Sequence, residues 1–212
     1  MTAQAVMKTE SEQSSDFEQK VQKLRALYAD ASDISKAALE NVIRGLRSAG
    51  PATESAGKAG SAGRIGARIG KVSELTVILP LRPGGAKRMR AFFETLHGSI
   101  GNQSVDLVGT VHDMRWVFLD NDTKLLFAST YDRDWDPYID DFATKIPDIL
   151  DLQFGEVDGW PGVRNPAVKD FIVKHQIQAH FWYVASPNLT VVETKRLEKM
   201  GKALDEFLDK IN

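Results

Sequence analysis

The stretch that most constrains the fold is residues 111–141, VHDMRWVFLDNDTKLLFASTYDRDWDPYIDD. Two runs rich in aromatic and aliphatic residues flank the tetrapeptide Asp120–Thr123, whose composition is typical of a tight turn. Asp136 followed by Pro137 then combines a helix-capping residue with a proline suited to the first helical position. The stretch therefore predicts a β-hairpin that leads directly into a helix.

Both faces of the first hairpin strand carry apolar side chains. Successive side chains of a strand point to opposite faces. One face is predicted to carry four large side chains: His112, Met114, Trp116 and Phe118. The opposite face is predicted to carry Val111, Asp113, Arg115, Val117 and Leu119. Because neither face is polar, we expect the sheet to be covered on both sides.

The segments around the hairpin complete an α+β pattern. Residues 75–81 (LTVILPL) and 176–185 (QIQAHFWYVA) are predicted strands, and residues 86–97 are a predicted helix. A final amphipathic helix, residues 190–211, is predicted to turn six apolar residues inward: Val191, Leu197, Met200, Leu204, Leu208 and Ile211. The order β-α-β-β-α-β with an extra C-terminal helix predicts a ferredoxin-like fold. Its second sheet face would be covered by another copy of the chain or by the terminal segments.

The composition divides the chain into three parts. Residues 1–49 combine a polar tail with amphipathic helical patterns, and residues 50–72 form a Gly/Ala-rich stretch that predicts a flexible linker. Residues 73–212 are the predicted ferredoxin-like α+β domain. Short helices with a narrow apolar stripe are marginally stable alone. We therefore expect residues 15–47 to dock on a protein partner, on the main domain or on a second copy of the chain.

The bulk composition excludes several classes of protein. With 27 basic and 29 acidic residues, the net charge of -2 provides no field that would attract nucleic acid. The chain has no cysteine, which excludes disulfides, thiolate metal sites and a cysteine nucleophile. The N-terminal residues do not have the pattern of a signal peptide, and no apolar run has the roughly 20 residues needed to span a bilayer. We expect a cytoplasmic protein that has no membrane span and binds no nucleic acid.

The first hairpin strand carries the pattern H-x-x-R-[FW]-V-x-L, formed by His112, Arg115, Trp116, Val117 and Leu119. Together with LTVILPLRPGGAKRMRAFFETL before it and YIDDFATKIPDILD after it, this pattern makes residues 74–185 resemble the dimeric α+β barrel superfamily. More narrowly, the region is similar to small bacterial ferredoxin-like proteins that are loosely labelled peroxidase-related. The superfamily includes dye-decolorising peroxidases, chlorite dismutase-like haem proteins, haem-degrading and quinone-forming monooxygenases, and members without catalysis. The resemblance implies a homodimer and, for an enzyme, oxidoreductase chemistry of the peroxidase or monooxygenase type.

One motif of the peroxidases is missing. Dye-decolorising peroxidases carry G-x-x-D-G, whose Asp works over the haem, whereas the nearest segment here, residues 131–134 (YDRD), lacks both glycines. Haem is therefore a candidate cofactor through the resemblance alone, because no sequence motif supports it. Asp132, Asp134 and Asp136 imitate the start of a calcium loop, but Pro137 and Ala143 replace the Gly and Glu that such a loop requires. An EF-hand is excluded, and no metal ligand is assigned.

The candidate site combines polar groups with aromatic walls. The candidate catalytic residues are His112, as a general base or iron ligand, with Arg115 and Asp132. The candidate residues for binding a small apolar ligand are Met114, Trp116, Tyr131, His180 and Trp182. The alternative is a packed interface in which His112 hydrogen-bonds a neighbour, and this alternative is favoured. His180 and Trp182 lie on a strand at the opposite edge of the predicted sheet, so they would meet His112 only across a dimer.

Two hypotheses about function follow. The first is a small-ligand-binding dimeric α+β barrel, with oxidoreductase chemistry if it is catalytic. The second is a non-catalytic assembly or adaptor module that docks on a larger partner through its N-terminal helices. The absence of a complete catalytic motif and the long helical extension favour the second hypothesis, while the resemblance favours the first.

Overall fold

The computed structural model of the chain describes residues 10–31, 33–48, 60–96 and 105–211. The chain forms two compact units, Met1–Ala56 and Gly57–Asn212. The N-terminal unit contains the helices α1 (Glu10–Leu27) and α2 (Asp33–Ser48). Helices predicted within residues 15–47 are therefore present.

Helices α1 and α2 run in opposite directions and are joined by two ion pairs. The Arg25 guanidinium lies 2.7 Å from the Glu40 carboxylate, and the Arg47 guanidinium lies 2.9 Å from that of Glu18. Each guanidinium donates more than one hydrogen bond to its partner. The same register places Val21 at the level of Ile43, and both side chains are buried. Bidentate pairs of this geometry fix how the two helices align.

The C-terminal unit is α+β, as predicted. Its strands are β1 (Gly60–Ser61), β2 (Ala67–Ile69), β3 (Val72–Pro80), β4 (Val111–Leu119) and β5 (Lys124–Asp132). They form one antiparallel sheet in the order β1-β2-β3-β5-β4. Its helices are α3 (Gly85–Leu96), α4 (Trp135–Lys145), α5 (Pro147–Phe154), α6 (Val168–His175) and α7 (Val191–Ile211). None of the helices in the described ranges is long and apolar enough to cross a membrane.

The predicted hairpin is confirmed. Its turn contains Asp120, Asn121 and Asp122 in the left-handed region, with φ of 50°, 52° and 69°. Asp and Asn tolerate this conformation better than other residues that have a side chain. The backbone N–H of Thr123 then donates to the carbonyl of Asp120, which closes the turn.

The core lies between the sheet and the helices that follow β5. Strand β3 contributes Leu75, Val77 and Leu79, and strand β5 contributes Leu125, Phe127 and Tyr131. The helices and the loops between them supply the opposing apolar side chains: Trp135, Tyr138, Ile139, Phe142, Ile146, Leu150, Phe154, Val157, Val163, Val168 and Ile172. Tyr131 and Trp135 are completely buried, so large aromatic groups occupy the middle of this layer.

Strands β1 and β2 correct the prediction of a flexible linker over residues 50–72. Arg68 pairs with Ser73 and Ile69 pairs with Val72, so the second half of the predicted linker belongs to the sheet. Gly66 has a φ of 84°, and a side chain there would collide with the backbone of Glu74. The small residues here allow close backbone packing instead of flexibility. Residues 50–59 of the predicted linker lie outside the described residues.

The predicted last strand, residues 176–185, is wrong. Gln176 makes a single bridge to Val77, and the N–H of Ile177 donates to the carbonyl of Thr76 at 2.8 Å. The edge of β3 that does not pair with β5 is already occupied on both sides of this contact. Strand β2 pairs with its first residues, and residues 156–158 hydrogen-bond to Pro80 and Arg82. A ten-residue strand therefore has no room beside β3, and the chain continues as an extended segment.

Helix α7 covers the predicted range, but its predicted orientation is wrong. Val191 is buried, whereas Leu197, Met200, Leu204, Leu208 and Ile211 are exposed. The helix is held at its first turn, and every residue from Lys195 to Ile211 is exposed. The repeating pattern identified the apolar face correctly but contained no information about which molecule covers it.

Candidate functional site

A histidine–carboxylate pair links the two strands of the hairpin. The Nε2 atom of His112 lies 2.8 Å from the Oδ1 atom of Asp132. The Asp132 side chain is 5% exposed and that of His112 is 23% exposed. A β-bulge brings the two groups together. Val111 pairs with Tyr131 and Asp113 pairs with Thr130, which leaves His112 as the extra residue of its strand.

The same carboxylate receives the first helical N–H of α7. The backbone N–H of Val191 donates to both oxygens of Asp132, at 3.3 Å and 3.1 Å. The first N–H groups of a helix have no partner within the helix, and this end of the helix favours negative charge. Asp132 therefore anchors the start of α7 to the end of β5, while His112 satisfies one of its two oxygens.

A capping box strengthens this anchor. The backbone N–H of Thr190 donates to Oε2 of Glu193 at 2.7 Å, and the N–H of Glu193 donates back to the Thr190 hydroxyl at 3.2 Å. The Nζ atom of Lys71 lies 2.7 Å from the Glu193 carboxylate. The bond to Lys71, followed by the hydrogen bonds from Thr190, lowers the pKa of Glu193 to about 2. Lys195 adds an ion pair to Asp106 at 2.6 Å.

The structure separates His112 from Met114 and Trp116, so the prediction that these three share a face is wrong. Trp116 packs between Phe93 of α3 and Phe127, with ring centroids 5.3 Å and 5.1 Å away. Met114 packs against the same core. The extra residue at the bulge interrupts the alternation of side chains between the two faces of β4. His112 thereby points away from the aromatic core and reaches Asp132.

The remaining predicted residues lie in three different places. Arg115 is exposed and is paired with Asp113 at 2.5 Å. Tyr131 is stacked on Tyr138 with a centroid distance of 3.9 Å, and burial raises its pKa above the usual value. His180 and Trp182 belong to the extended segment 177–185, in which Phe181 is 88% exposed. The predicted set therefore does not form one pocket within the chain.

The core contains a cavity of about 40 Å³ lined by apolar side chains, among them Leu75, Phe127 and Trp160. Sites for small organic ligands are typically about 300–1,000 Å³ in volume. The cavity therefore has the size of a packing defect. Within the described ranges, no group of three or more His, Asp or Glu side chains is arranged to hold a metal ion.

Sequence reasoning missed the exposed apolar surface of α7. Leu197, Met200, Leu204, Phe207 and Ile211 are separated by steps of three, four, three and four, and each is between 51% and 63% exposed. This spacing was visible in the sequence as a coiled-coil pattern. Most amphipathic helices pack on their own domain, which is why the pattern predicts an inward face.

Comparison of the chain with protein-family models, with curated proteins and with solved structures finds no match in any of the three.

The anchor of α7 generates a stability prediction. Asp132→Asn keeps the shape of the side chain but removes the charge at the start of α7, and we expect a loss of about 1–2 kcal/mol in the free energy of unfolding. The matched control is Asp113→Asn, whose exposed pair with Arg115 is expected to contribute no more than about 0.5 kcal/mol. Urea titration of the full chain measures both, and equal effects would contradict the anchoring role.

The lowered pKa of Glu193 generates a pH prediction. Because its folded pKa of about 2 lies below the ordinary 4.5, its stabilising contribution is complete above about pH 4.5. The contribution disappears as the pH falls toward 2. We expect the difference in thermal midpoint between wild type and Glu193→Gln to shrink from about pH 6 to pH 2. Glu198→Gln serves as the control, and a constant difference for Glu193→Gln across this range would refute the assignment.

Proposed function

We propose that the protein is a non-catalytic assembly module, in which an α+β domain forms a homodimer and the N-terminal helix pair docks on a protein partner. The observation that carries this proposal is the amount of apolar surface that the helices leave exposed. In the N-terminal unit, Leu27 is 65% exposed and Val42 is 58% exposed. Leu24, Tyr28 and Leu46 are exposed as well.

The helix pair has the features of a helix-binding groove. Arg25 and Glu40 hold the two helices in fixed alignment, and an open groove of about 420 Å³ lies beside Tyr28 and Leu39. Two helices of this length bury little apolar surface between themselves. A third amphipathic helix would cover the exposed side chains, and charged groups at the rim would select its orientation. The proposed partner is therefore a protein that presents an amphipathic helix.

The proposed topology of the α+β domain is ferredoxin-like. Three observations support it: β5 lies between β3 and β4, α3 connects β3 to β4, and the bridge from Gln176 to Val77 lies where a fourth strand would begin. In a homodimer, the extended segment 177–185 would find partners for Phe181 and Tyr183, which are among the most exposed aromatic residues of the chain.

Small-ligand binding is a second candidate, and the His112–Asp132 pair favours it. A carboxylate that orients an imidazole is a common feature of catalytic bases and metal-bound histidines. In this chain, however, the bonded partners of Asp132 are His112 and the start of α7, which is also what a structural anchor requires. The core cavity is far smaller than haem, so a binding pocket would have to form between two copies of the domain.

The docking proposal predicts loss of partner binding when the exposed apolar face becomes charged. We expect the double variant Leu27→Lys, Val42→Lys to lose at least tenfold in affinity for its partner, because two desolvated apolar contacts are replaced by charge. Proximity labelling in source cells identifies the partner, and titration of the purified pair measures the affinity. Leu152→Lys, an equally exposed residue of α5, is the control. An unchanged affinity in the double variant would refute docking through this face.

The second candidate predicts a haem complex that depends on His112. Titration of the full chain with haemin would produce a saturable Soret band, which His112→Ala would abolish and His175→Ala would preserve. His175 is a suitable control because its ring already hydrogen-bonds the carbonyl of Phe171. Full-length protein that leaves the haemin spectrum unchanged would eliminate haem as the ligand.

A further inference from the structure

The exposed apolar residues of α7 form a single seam. Leu197, Met200, Leu204, Phe207 and Ile211 occupy alternating a and d positions of a seven-residue repeat. Leu208 widens this stripe on one side. Residues with this spacing lie along one line of a helix and insert between the side chains of a second helix. The seam covers the part of α7 that lies beyond its anchored first turn.

Gly201 is the second unusual feature of this helix. A glycine in the middle of a helix costs about 1 kcal/mol relative to alanine. Among the residues that the structure describes, a side chain at this position would meet no atom within 4 Å, so none of their packing contacts requires glycine. Gly201 and Ala203 flank the seam next to Met200 and Leu204. Small residues at these positions allow a second helix to approach closely.

The charges of α7 are divided between its two halves. Arg196, Lys199 and Lys202, offset by Glu198, leave residues 196–203 with two excess positive charges. Asp205, Glu206 and Asp209, offset by Lys210, leave the second half with two excess negative charges. The exposed part of α7 therefore consists of a basic half followed by an acidic half.

A second copy of α7 in the opposite direction is complementary to this charge pattern. In an antiparallel pair centred on Leu204, the basic half of each helix lies beside the acidic half of the other, whereas a parallel pair would place like charges together. The charges lie outside the seam, so they set the orientation of the pair more than its strength. The two helix dipoles also oppose each other in this arrangement.

We propose that α7 forms the homodimer interface by pairing antiparallel with α7 of a second copy, with Leu204 near the two-fold axis. Leu197 of one copy then faces Ile211 of the other, and Met200 faces Leu208. The seam is self-complementary under a two-fold rotation, as an isologous interface requires. This inference rests on the proposed homodimer and identifies which surface forms it. The anchors at Asp132 and Lys71 hold the seam in a fixed direction, which reduces the entropy lost on pairing.

Disulfide trapping tests the orientation, because the chain contains no cysteine of its own. Leu204→Cys is expected to form a covalent dimer under mild oxidation. Leu197→Cys and Ile211→Cys are expected to remain monomeric alone and to cross-link when the two variants are mixed. Cross-linking of Leu197→Cys with itself would indicate a parallel pair and overturn the inference.

Sedimentation equilibrium of the full chain tests the interface. We expect Leu204→Glu to weaken dimerisation at least tenfold, and Leu152→Glu, at an equally exposed apolar residue of α5, to leave it within about threefold. A dimer that survives Leu204→Glu unchanged and shows no cross-link at Leu204→Cys would overturn the α7 interface but retain the proposed homodimer. Wild-type protein that is monomeric up to about 100 µM would overturn both. An α7 that binds the partner protein in place of a second copy would appear as this last outcome.

Discussion

The structure depends on β5 being paired along both of its edges. Nine consecutive residues of β3 pair with it on one side, and β4 pairs with it on the other. Leu125, Phe127 and Tyr131 consequently face the helices, and Asp132 ends the strand on the opposite face. A slip of one residue would exchange these faces. It would bring Asp132 toward the aromatic core and remove Tyr131 from its stack on Tyr138.

The register of β5 also determines the direction of α7. Asp132 is the last residue of the strand, and its carboxylate receives the first N–H of the helix. Lys71, which precedes β3, holds Glu193 in the same turn. Two neighbouring strands therefore fix the start of α7, although the rest of the helix is exposed. A surface held in this way is presented in one orientation, as a binding interface requires.

The features that the sequence predicted correctly are local. The turn at Asp120–Thr123, the α+β class and the range of α7 depend on residues that are close together in the chain. The errors concern contacts between distant segments. One extra residue at His112 changes the face to which a side chain points, and alternation alone does not reveal a bulge. Nothing in the sequence shows that β2 and residues 156–158 occupy the edge of β3 beside which a last strand over residues 176–185 would lie.

Of the candidate catalytic residues, His112 and Asp132 are in contact, whereas Arg115 pairs with Asp113. His112 and Asp132 are close because both lie at the open end of the hairpin. Met114 and Trp116 carry the same spacing that suggested a ligand pocket, yet this spacing is equally that of a core-facing strand. Only the packing of Phe93 against Trp116 distinguishes the two interpretations, and Phe93 lies in a helix 23 positions earlier in the chain.

A chain sometimes departs from a local rule of folding without stabilising its own fold. Such a departure points to its function. The His112–Asp132 pair breaks no such rule, because the imidazole and the carboxylate bond to each other and the carboxylate caps a helix. Helix α7 breaks two: its apolar seam is exposed, and Gly201 lies in its middle. Each exception is unfavourable for a single chain and favourable for an antiparallel pair. Association through α7 explains both with one cause, whereas catalysis at His112 explains neither.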